Sequence, residues 1–219
     1  YQDVDKLYVT SYANSDVAFE MNGQSVRLVQ RQDMLNGSMM TCSENNTKQT
    51  VNEIASAYAN RPDFRKYDFV VNTDSDVAFT LLLRIPDWIK ADACVYVNDE
   101  LVEETSATDR FVTIDRTWKD GDKVVLTLPI GLDFITLPDD ETMGAFRYGP
   151  DVLAGVTDKE RILKLESDKP EDELSADTER QWGDFRTFYR TENQDPGISF
   201  RKLNEIGYEP YQMYFKIKH

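Results

Sequence analysis

Histidine and cysteine are almost absent from this 219-residue sequence. The one histidine is the last residue, His219, and the two cysteines are Cys42 and Cys94. Serine–histidine and cysteine–histidine catalysis both need a histidine within the fold, so these two classes of enzyme are excluded. A structural zinc site needs about four ligands, which two cysteines do not supply, and two cysteines make no disulfide framework. We predict no catalytic residue and no metal ligand in this chain.

Positive charge and long apolar runs are also scarce. The 25 Lys and Arg residues are outnumbered by 40 Asp and Glu residues, giving a formal net charge of −15. Nucleic acids and anionic membranes select clustered lysine and arginine, so neither is an expected partner. No run of about 18 apolar residues exists that would span a membrane. The chain opens without Met, which suggests a mature form or a piece of a longer chain, so a missing signal peptide leaves the compartment open.

The sequence is rich in the alternation of apolar and polar residues that is typical of strands. Hydrophobic residues make up 40% of it, enough for a sizeable core. Val17, Phe19 and Met21 alternate before Asn22-Gly23, which is a strong hairpin signal because both turn residues tolerate positive φ. The pattern is densest from 79 to 129. We predict an all-β fold of two consecutive antiparallel β-sandwich domains, residues 1–132 and 133–219.

One segment has a helical period instead. Val51, Ile54, Ala55 and Tyr58 occupy positions i, i+3, i+4 and i+7, which form one face of a helix. A short helix over about residues 51–59, inserted between strands, is therefore expected. Two polar stretches complete the layout: residues 137–141 are typical of a linker between domains, and the acidic residues 167–180 are typical of a long surface loop.

Acidic residues offer two candidate sites, each with a plain structural alternative. Asp120 and Asp122 form a carboxylate pair of the kind that hydrolyses glycosides, but Asp-Gly-Asp is also a common solvent-facing turn, with Gly121 supplying its conformation. Residues 139–141 offer oxygen ligands for calcium, but they lack the spacing of a calcium-binding loop. In both places we favour the structural interpretation.

The three tryptophans are candidates for stacking on sugar rings. Trp88 and Trp118 lie at strand ends, where large rings usually close a core, so core or interdomain packing is the favoured role. Trp182 lies beside Gly183 near the acidic loop and is the candidate carbohydrate-binding residue. Pro86 is expected to end its strand because it cannot donate a ladder hydrogen bond. Arg84, on the outer face of that strand, fits an interface with another domain or a surface ion pair equally well.

Several of these stretches, in this order, resemble one family. They are Leu-Tyr-Val-Thr-Ser-Tyr at 7–12, Leu-Arg-Ile-Pro-Asp-Trp at 83–88, Val-Tyr-Val-Asn at 95–98, Arg-Thr-Trp-Lys-Asp-Gly-Asp at 116–122, Leu-Thr-Leu-Pro at 126–129 and Ala-Phe-Arg-Tyr-Gly-Pro at 145–150. This series is similar to the C-terminal part of the glycoside hydrolase family 127 and 146 proteins, the β-L-arabinofuranosidase-like or DUF1680 group. The sequence departs from that pattern at Asp99, where the family has glycine, and at Asp151, where it has an apolar residue.

The resemblance implies a specific role. In that family the catalytic cysteine, the glutamates and a zinc ion lie on an N-terminal (α/α)6 barrel, to which no residue here corresponds. It implies that this chain is a non-catalytic accessory region without a cofactor, with a barrel domain in cis as its partner, in a periplasmic or extracellular protein that acts on arabinofuranose-containing glycans. Two alternatives stay open: a carbohydrate-binding module that holds polysaccharide, and a structural or protein-interaction domain.

Overall fold

The structure is a computed structural model that describes residues 1–33, 64–105, 110–177 and 188–218. These residues form strands and two short 3-10 turns, Pro170–Glu173 and Leu203–Glu205. The predicted all-β fold class is confirmed. The chain divides into two compact units, unit 1 from Tyr1 to Ile130 and unit 2 from Gly131 to His219. The predicted helix at 51–59 lies outside the described residues.

Unit 1 is built from short strands joined mostly by tight turns. In chain order they are β1 (Gln2–Asp3), β2 (Lys6–Val9), β3 (Ser15–Met21), β4 (Gln24–Asp33), β5 (Phe64–Thr73), β6 (Val77–Arg84), β7 (Ala93–Val97), β8 (Glu100–Thr105), β9 (Phe111–Trp118) and β10 (Asp122–Pro129). They form a four-stranded sheet in the order β1-β2-β6-β9 and a six-stranded sheet in the order β3-β4-β5-β10-β7-β8. The two sheets share one core, which makes unit 1 a β-sandwich.

The alternation of side chains explains how that core forms. In β6, Phe79, Leu81 and Leu83 are buried at 2% exposure or less. In β10, Val124 and Leu126 are fully buried in the same apolar cluster. Successive side chains of a strand point to opposite faces, so each sheet contributes every second residue to the core and leaves the others outside.

The hairpin turns follow the predicted chemistry. Asn22 and Gly23 have φ of 51° and 74°, and they join β3 to β4 as predicted. Asn98 and Asp99 have φ of 52° and 67° and join β7 to β8, so an aspartate here occupies the left-handed position that glycine usually takes. The four-stranded sheet is not wholly antiparallel, since β2 pairs with β6 in parallel. Strand orientation was not predictable here because alternation has the same period in both arrangements.

Unit 2 contains the remaining strands of the described chain. They are β11 (Leu132–Leu137), β12 (Asp140–Tyr148), β13 (Asp151–Val156), β14 (Ile162–Lys164), β15 (Leu174–Ala176), β16 (Tyr189–Thr191), β17 (Ser199–Lys202), β18 (Tyr211–Gln212) and β19 (Phe215–Lys218). They belong to one sheet in the order β14-β19-β12-β13-β17-β16-β15, with β11 added beside β12 and β18 beside β13. The pairing of β14 with β19 is parallel.

The sheet of unit 2 folds over itself around aromatic side chains. Phe200 of β17 and Phe215 of β19 are three strand spacings apart in the order of the sheet, which is about 14 Å in a flat sheet. Their ring centroids are only 5.3 Å apart, and Phe146 of β12 lies 5.2 Å from Phe200. One continuous sheet therefore supplies both layers around this buried phenylalanine cluster.

Two interpretations of the sequence in unit 2 are corrected. Residues 137–141 are not a linker, because Leu137 pairs with Asp140 and the stretch forms the turn of the β11–β12 hairpin. The segment 167–180 is not simply a surface loop, since its described part contains the first 3-10 turn and strand β15. Glu173 is only 3% exposed, and its carboxylate accepts the N–H groups of Glu166 and Ser167. Acidic composition misled here because a buried carboxylate can be held by main-chain donors.

Candidate functional site

The turn between β9 and β10 brings together the polar residues that the sequence singled out. Gly121 has φ of +81°, a conformation that residues with a side chain rarely adopt. Asp122 follows it at 8% exposure. Its Oδ1 accepts a hydrogen bond from Asn98 Nδ2 at 2.8 Å, and its Oδ2 accepts one from the N–H of Lys119 at 2.9 Å. The carboxylate thereby connects its own turn to the β7–β8 turn.

The environment of Asp122 favours its ionised form. Burial by itself raises the pKa of the carboxyl. The hydrogen bonds from Asn98 and Lys119, together with the charges of Arg116 and Lys119, outweigh burial and lower the pKa below its ordinary value. The Arg116 guanidinium lies 3.6 Å from Oδ2. Asp122 is therefore a poor general acid at neutral pH, since it stays deprotonated.

Asp120 is also engaged by the fold. Its Oδ1 accepts the N–H of Thr73 at 3.2 Å and the Nδ2 of Asn72 at 3.4 Å. Both acceptor contacts hold the end of β5 against the β9–β10 turn. The two carboxylates of the Asp-Gly-Asp sequence thus bind donors of the protein itself, and this arrangement supports a structural role over a catalytic pair.

Trp118 lies directly before this turn and is fully buried. Its Nε1 donates a hydrogen bond to the carbonyl of Phe79 at 2.9 Å, and its ring stacks on the Phe79 ring with centroids 5.4 Å apart. The Arg116 guanidinium lies 5.2 Å from the ring centroid. Since the ring is enclosed by core residues, it is inaccessible to a sugar.

The end of β6 carries three other residues of interest. Arg84 is exposed, and within the described ranges its side chain has no ion-pair partner. Its carbonyl accepts the Tyr12 hydroxyl, and burial raises the pKa of that phenol. Pro86 is buried just after the strand ends, and Trp88 is half-buried against the core of unit 1.

Trp182, the candidate carbohydrate-binding residue, lies outside the described residues.

Possible metal ligands do not converge in the structure as described. Across residues 1–33, 64–105, 110–177 and 188–218, no group of three or more His, Cys, Asp or Glu side chains is arranged to hold a metal ion. Asp140, in the calcium candidate, instead accepts the N–H and the hydroxyl of Thr142 at 2.9 and 2.6 Å. Those bonds lower the pKa of its carboxyl.

The same described ranges contain no helix of sufficient length and apolarity to cross a membrane.

Unit 1 also has an apolar groove at the open edge between its two sheets. Its volume is about 200 Å³, and Leu7, Tyr8, Val17 and Phe19 are among the residues that line it. Val17 is 52% exposed although it is an aliphatic strand residue. An exposed apolar concavity of this kind marks a contact surface or a ligand-binding groove.

The fold is all-β, and the polar residues of the β9–β10 turn bind donors of the protein itself. Residues 38–130 match the family model of the GH127 β-L-arabinofuranosidase middle domain. The resemblance inferred above is thereby confirmed, and the chain contains a GH127-like accessory domain. A comparison with curated protein sequences gave no match.

Solved structures agree with this assignment at the level of the fold. A GH127 β-L-arabinofuranosidase from Geobacillus stearothermophilus T6 superposes on 100% of this chain with a TM-score of 0.61 and 21% identity. A glycoside hydrolase superposes on 97% with a TM-score of 0.58 and 14% identity, and a GH127 β-arabinofuranosidase on 98% with 0.54 and 18%. This chain spans 34%, 36% and 35% of those proteins, respectively.

Proposed function

We propose that this chain is the non-catalytic β-sandwich region of a glycoside hydrolase that acts on arabinofuranose-containing, plant-type glycans. The observation that carries the proposal is the superposition of the entire chain on about a third of a β-L-arabinofuranosidase. The engagement of Asp120 and Asp122 by turn donors supports it, because no carboxylate pair is left available there for hydrolysis.

The role that we assign to the region is to stabilise and position an (α/α)6 barrel in cis. The apolar groove lined by Tyr8 and Val17, and the exposed Arg84 at the end of β6, are the surfaces that we assign to that contact. Zinc and the catalytic residues belong, in this proposal, to the barrel. The described residues of the present chain offer no set of ligands that fits a zinc ion.

A periplasmic or extracellular location fits this role. Cys94 in β7 is disulfide-bonded. The sequence holds one other cysteine, Cys42, which lies outside the described residues. Disulfides persist in oxidising compartments and are rare in the cytosol, so the Cys94 bond supports export.

Two measurements test the proposal. The purified chain is expected to release no p-nitrophenol from p-nitrophenyl β-L-arabinofuranoside, while a barrel joined to it is expected to be active. Hydrolysis that co-purifies with this chain and follows its concentration would refute the non-catalytic assignment. For the stabilising role, the barrel is expected to melt at a lower temperature without this region than with it, and an unchanged melting temperature would refute that role.

A further inference from the structure

A second groove lies on unit 2, against strands β16 and β17. Its volume is about 560 Å³, within the range of roughly 300–1,000 Å³ typical of small-molecule sites. The described residues that line it are Arg190, Thr191, Glu192, Gly197, Ile198 and Ser199. These residues belong to unit 2, whereas the surfaces assigned above to the barrel contact belong to unit 1.

The charged residues of this groove are Arg190 and Glu192, and both are exposed. Thr191 points to the core, since it is 6% exposed and its Oγ1 accepts the N–H of Ile198 at 2.9 Å. Arg190 precedes Thr191 in β16 and therefore points to the opposite, outer face. Glu192 follows the end of β16 and lines the same groove. In the described part of the chain neither side chain has an ion-pair partner. One donor group and one acceptor group thus lie at the same groove.

Neighbouring residues add a hydroxyl and open space. Ser199 is the direct partner of Arg190 across the β16–β17 ladder, so its hydroxyl lies on the same face. Gly197 contributes no side chain, and the nearest atom of the described residues would lie 3.6 Å from a Cβ built there. The groove is therefore polar at its edges and unobstructed at the glycine.

The same face continues across the sheet to an aromatic ring. Val156 pairs with Ser199 on one side and with Tyr211 on the other, so Arg190, Ser199, Val156 and Tyr211 form one cross-strand row. Tyr211 is 51% exposed. Three strand spacings separate it from Arg190, a distance of about 14 Å. A ligand that contacts both ends must be an extended chain rather than a single ring.

The chemistry of the row selects the type of ligand. Guanidinium groups only donate hydrogen bonds and carboxylates only accept them, whereas a sugar hydroxyl does both. The opposite charges of Arg190 and Glu192 cancel, and the chain carries a net charge of −15, so an anionic ligand is disfavoured. An exposed tyrosine offers an apolar face to the C–H surface of a sugar ring. We propose that this row on unit 2, together with Glu192, is a binding groove for a neutral oligosaccharide.

Nuclear magnetic resonance of the 15N-labelled 219-residue chain tests this groove. A neutral linear arabino-oligosaccharide is expected to shift the amide signals of residues 190–192 and 197–199 in a saturable way. An oligogalacturonide of equal length, which is anionic, is expected to bind more weakly. No saturable shift with the neutral sugar, shifts confined to other residues, or stronger binding of the anionic sugar would each overturn the proposal.

Variants assign the binding to side chains. Arg190→Ala and Glu192→Gln are each expected to weaken binding roughly tenfold, because each removes a charge-assisted hydrogen bond. Tyr211→Ala is expected to weaken it several-fold through loss of stacking. The matched controls Arg110→Ala, Glu160→Gln and Tyr208→Ala alter exposed residues outside the row and are expected to bind normally. The amide spectrum shows whether each variant keeps the native fold. If Arg190→Ala or Glu192→Gln keeps that fold and binds the neutral sugar with unchanged affinity, the assignment is refuted.

Discussion

Replacing Asp122 with alanine tests whether the contacts of its carboxylate in the β9–β10 turn stabilise unit 1. The substitution removes the acceptor of two hydrogen bonds, one from Asn98 Nδ2 at 2.8 Å and one from the Lys119 N–H at 2.9 Å. It also removes the carboxylate that lies 3.6 Å from Arg116. The side chain is only 9% exposed, so water replaces these contacts poorly.

The size of the effect follows from the number and type of these bonds. Hydrogen bonds to a charged group contribute about 1.5–3 kcal/mol each, and two that share one acceptor are not fully additive. We expect Asp122→Ala to lower the free energy of unfolding of unit 1 by about 2–4 kcal/mol. For a unit of this size the melting temperature falls by roughly 5–15 °C.

The same carboxylate makes stability depend on pH in a defined direction. Its pKa is lower in the folded protein than the ordinary value of 3.8, so the unfolded chain binds the proton more readily. The stabilisation is therefore complete above that ordinary value and is lost as the pH falls through the lower pKa of the folded state. Asp122→Asn cannot ionise, so the difference between native chain and variant is expected to be constant above about pH 5 and to shrink below about pH 4.

Urea unfolding followed by tryptophan fluorescence is a suitable assay, because Trp88 and Trp118 both lie in unit 1. The control is Asp74→Ala, which removes an exposed carboxylate of the same unit and is expected to change stability by less than about 0.5 kcal/mol. If Asp122→Ala unfolded at the same urea concentration as the control, the stabilising role of Asp122 would be refuted. It would also be refuted if the stability difference between Asp122→Asn and the native chain stayed constant at low pH.

Two further substitutions test the packing of each unit. Trp118→Phe removes the hydrogen bond to the Phe79 carbonyl and leaves a cavity, so unfolding in urea is expected to show a loss of about 2–4 kcal/mol; a loss below about 1 kcal/mol would contradict the packing. Gly144→Ala places a Cβ 2.5 Å from a main-chain oxygen, so we expect a loss of about 1–3 kcal/mol in thermal unfolding. Gly197→Ala, with no atom closer than 3.6 Å, is its near-neutral control, and equal effects of the two would refute the argument.

Local elements were readable from the sequence where a residue type strongly favours one local structure. Asn22-Gly23 marks a hairpin because both residues accept positive φ, and the hairpin is present. The alternation from Phe79 to Leu83 identifies a strand and its buried face. The stretch at 137–141 was misread as a linker because proline and acidic residues are equally common in turns and linkers, and only strand pairing tells them apart.

Parts of the candidate sites were beyond the reach of sequence reasoning. Arg190 and Ser199 are adjacent across a ladder, but Tyr211 joins them only because β13 lies between β17 and β18. Glu173 gave no signal of burial, since its donors are main-chain N–H groups of Glu166 and Ser167 that carry no sequence signature. Such sites arise from strand order, which alternation does not encode.

By itself the sequence determined that this protein is all-β, acidic, almost free of histidine and similar to the GH127 accessory region, because composition, period and motif order are local properties. Only the tertiary structure decided that Asp122 accepts a hydrogen bond from Asn98, and that one folded sheet encloses the aromatic core of unit 2. The physical reason is that strand pairing joins residues far apart in the chain, and each contact depends on which strands become neighbours.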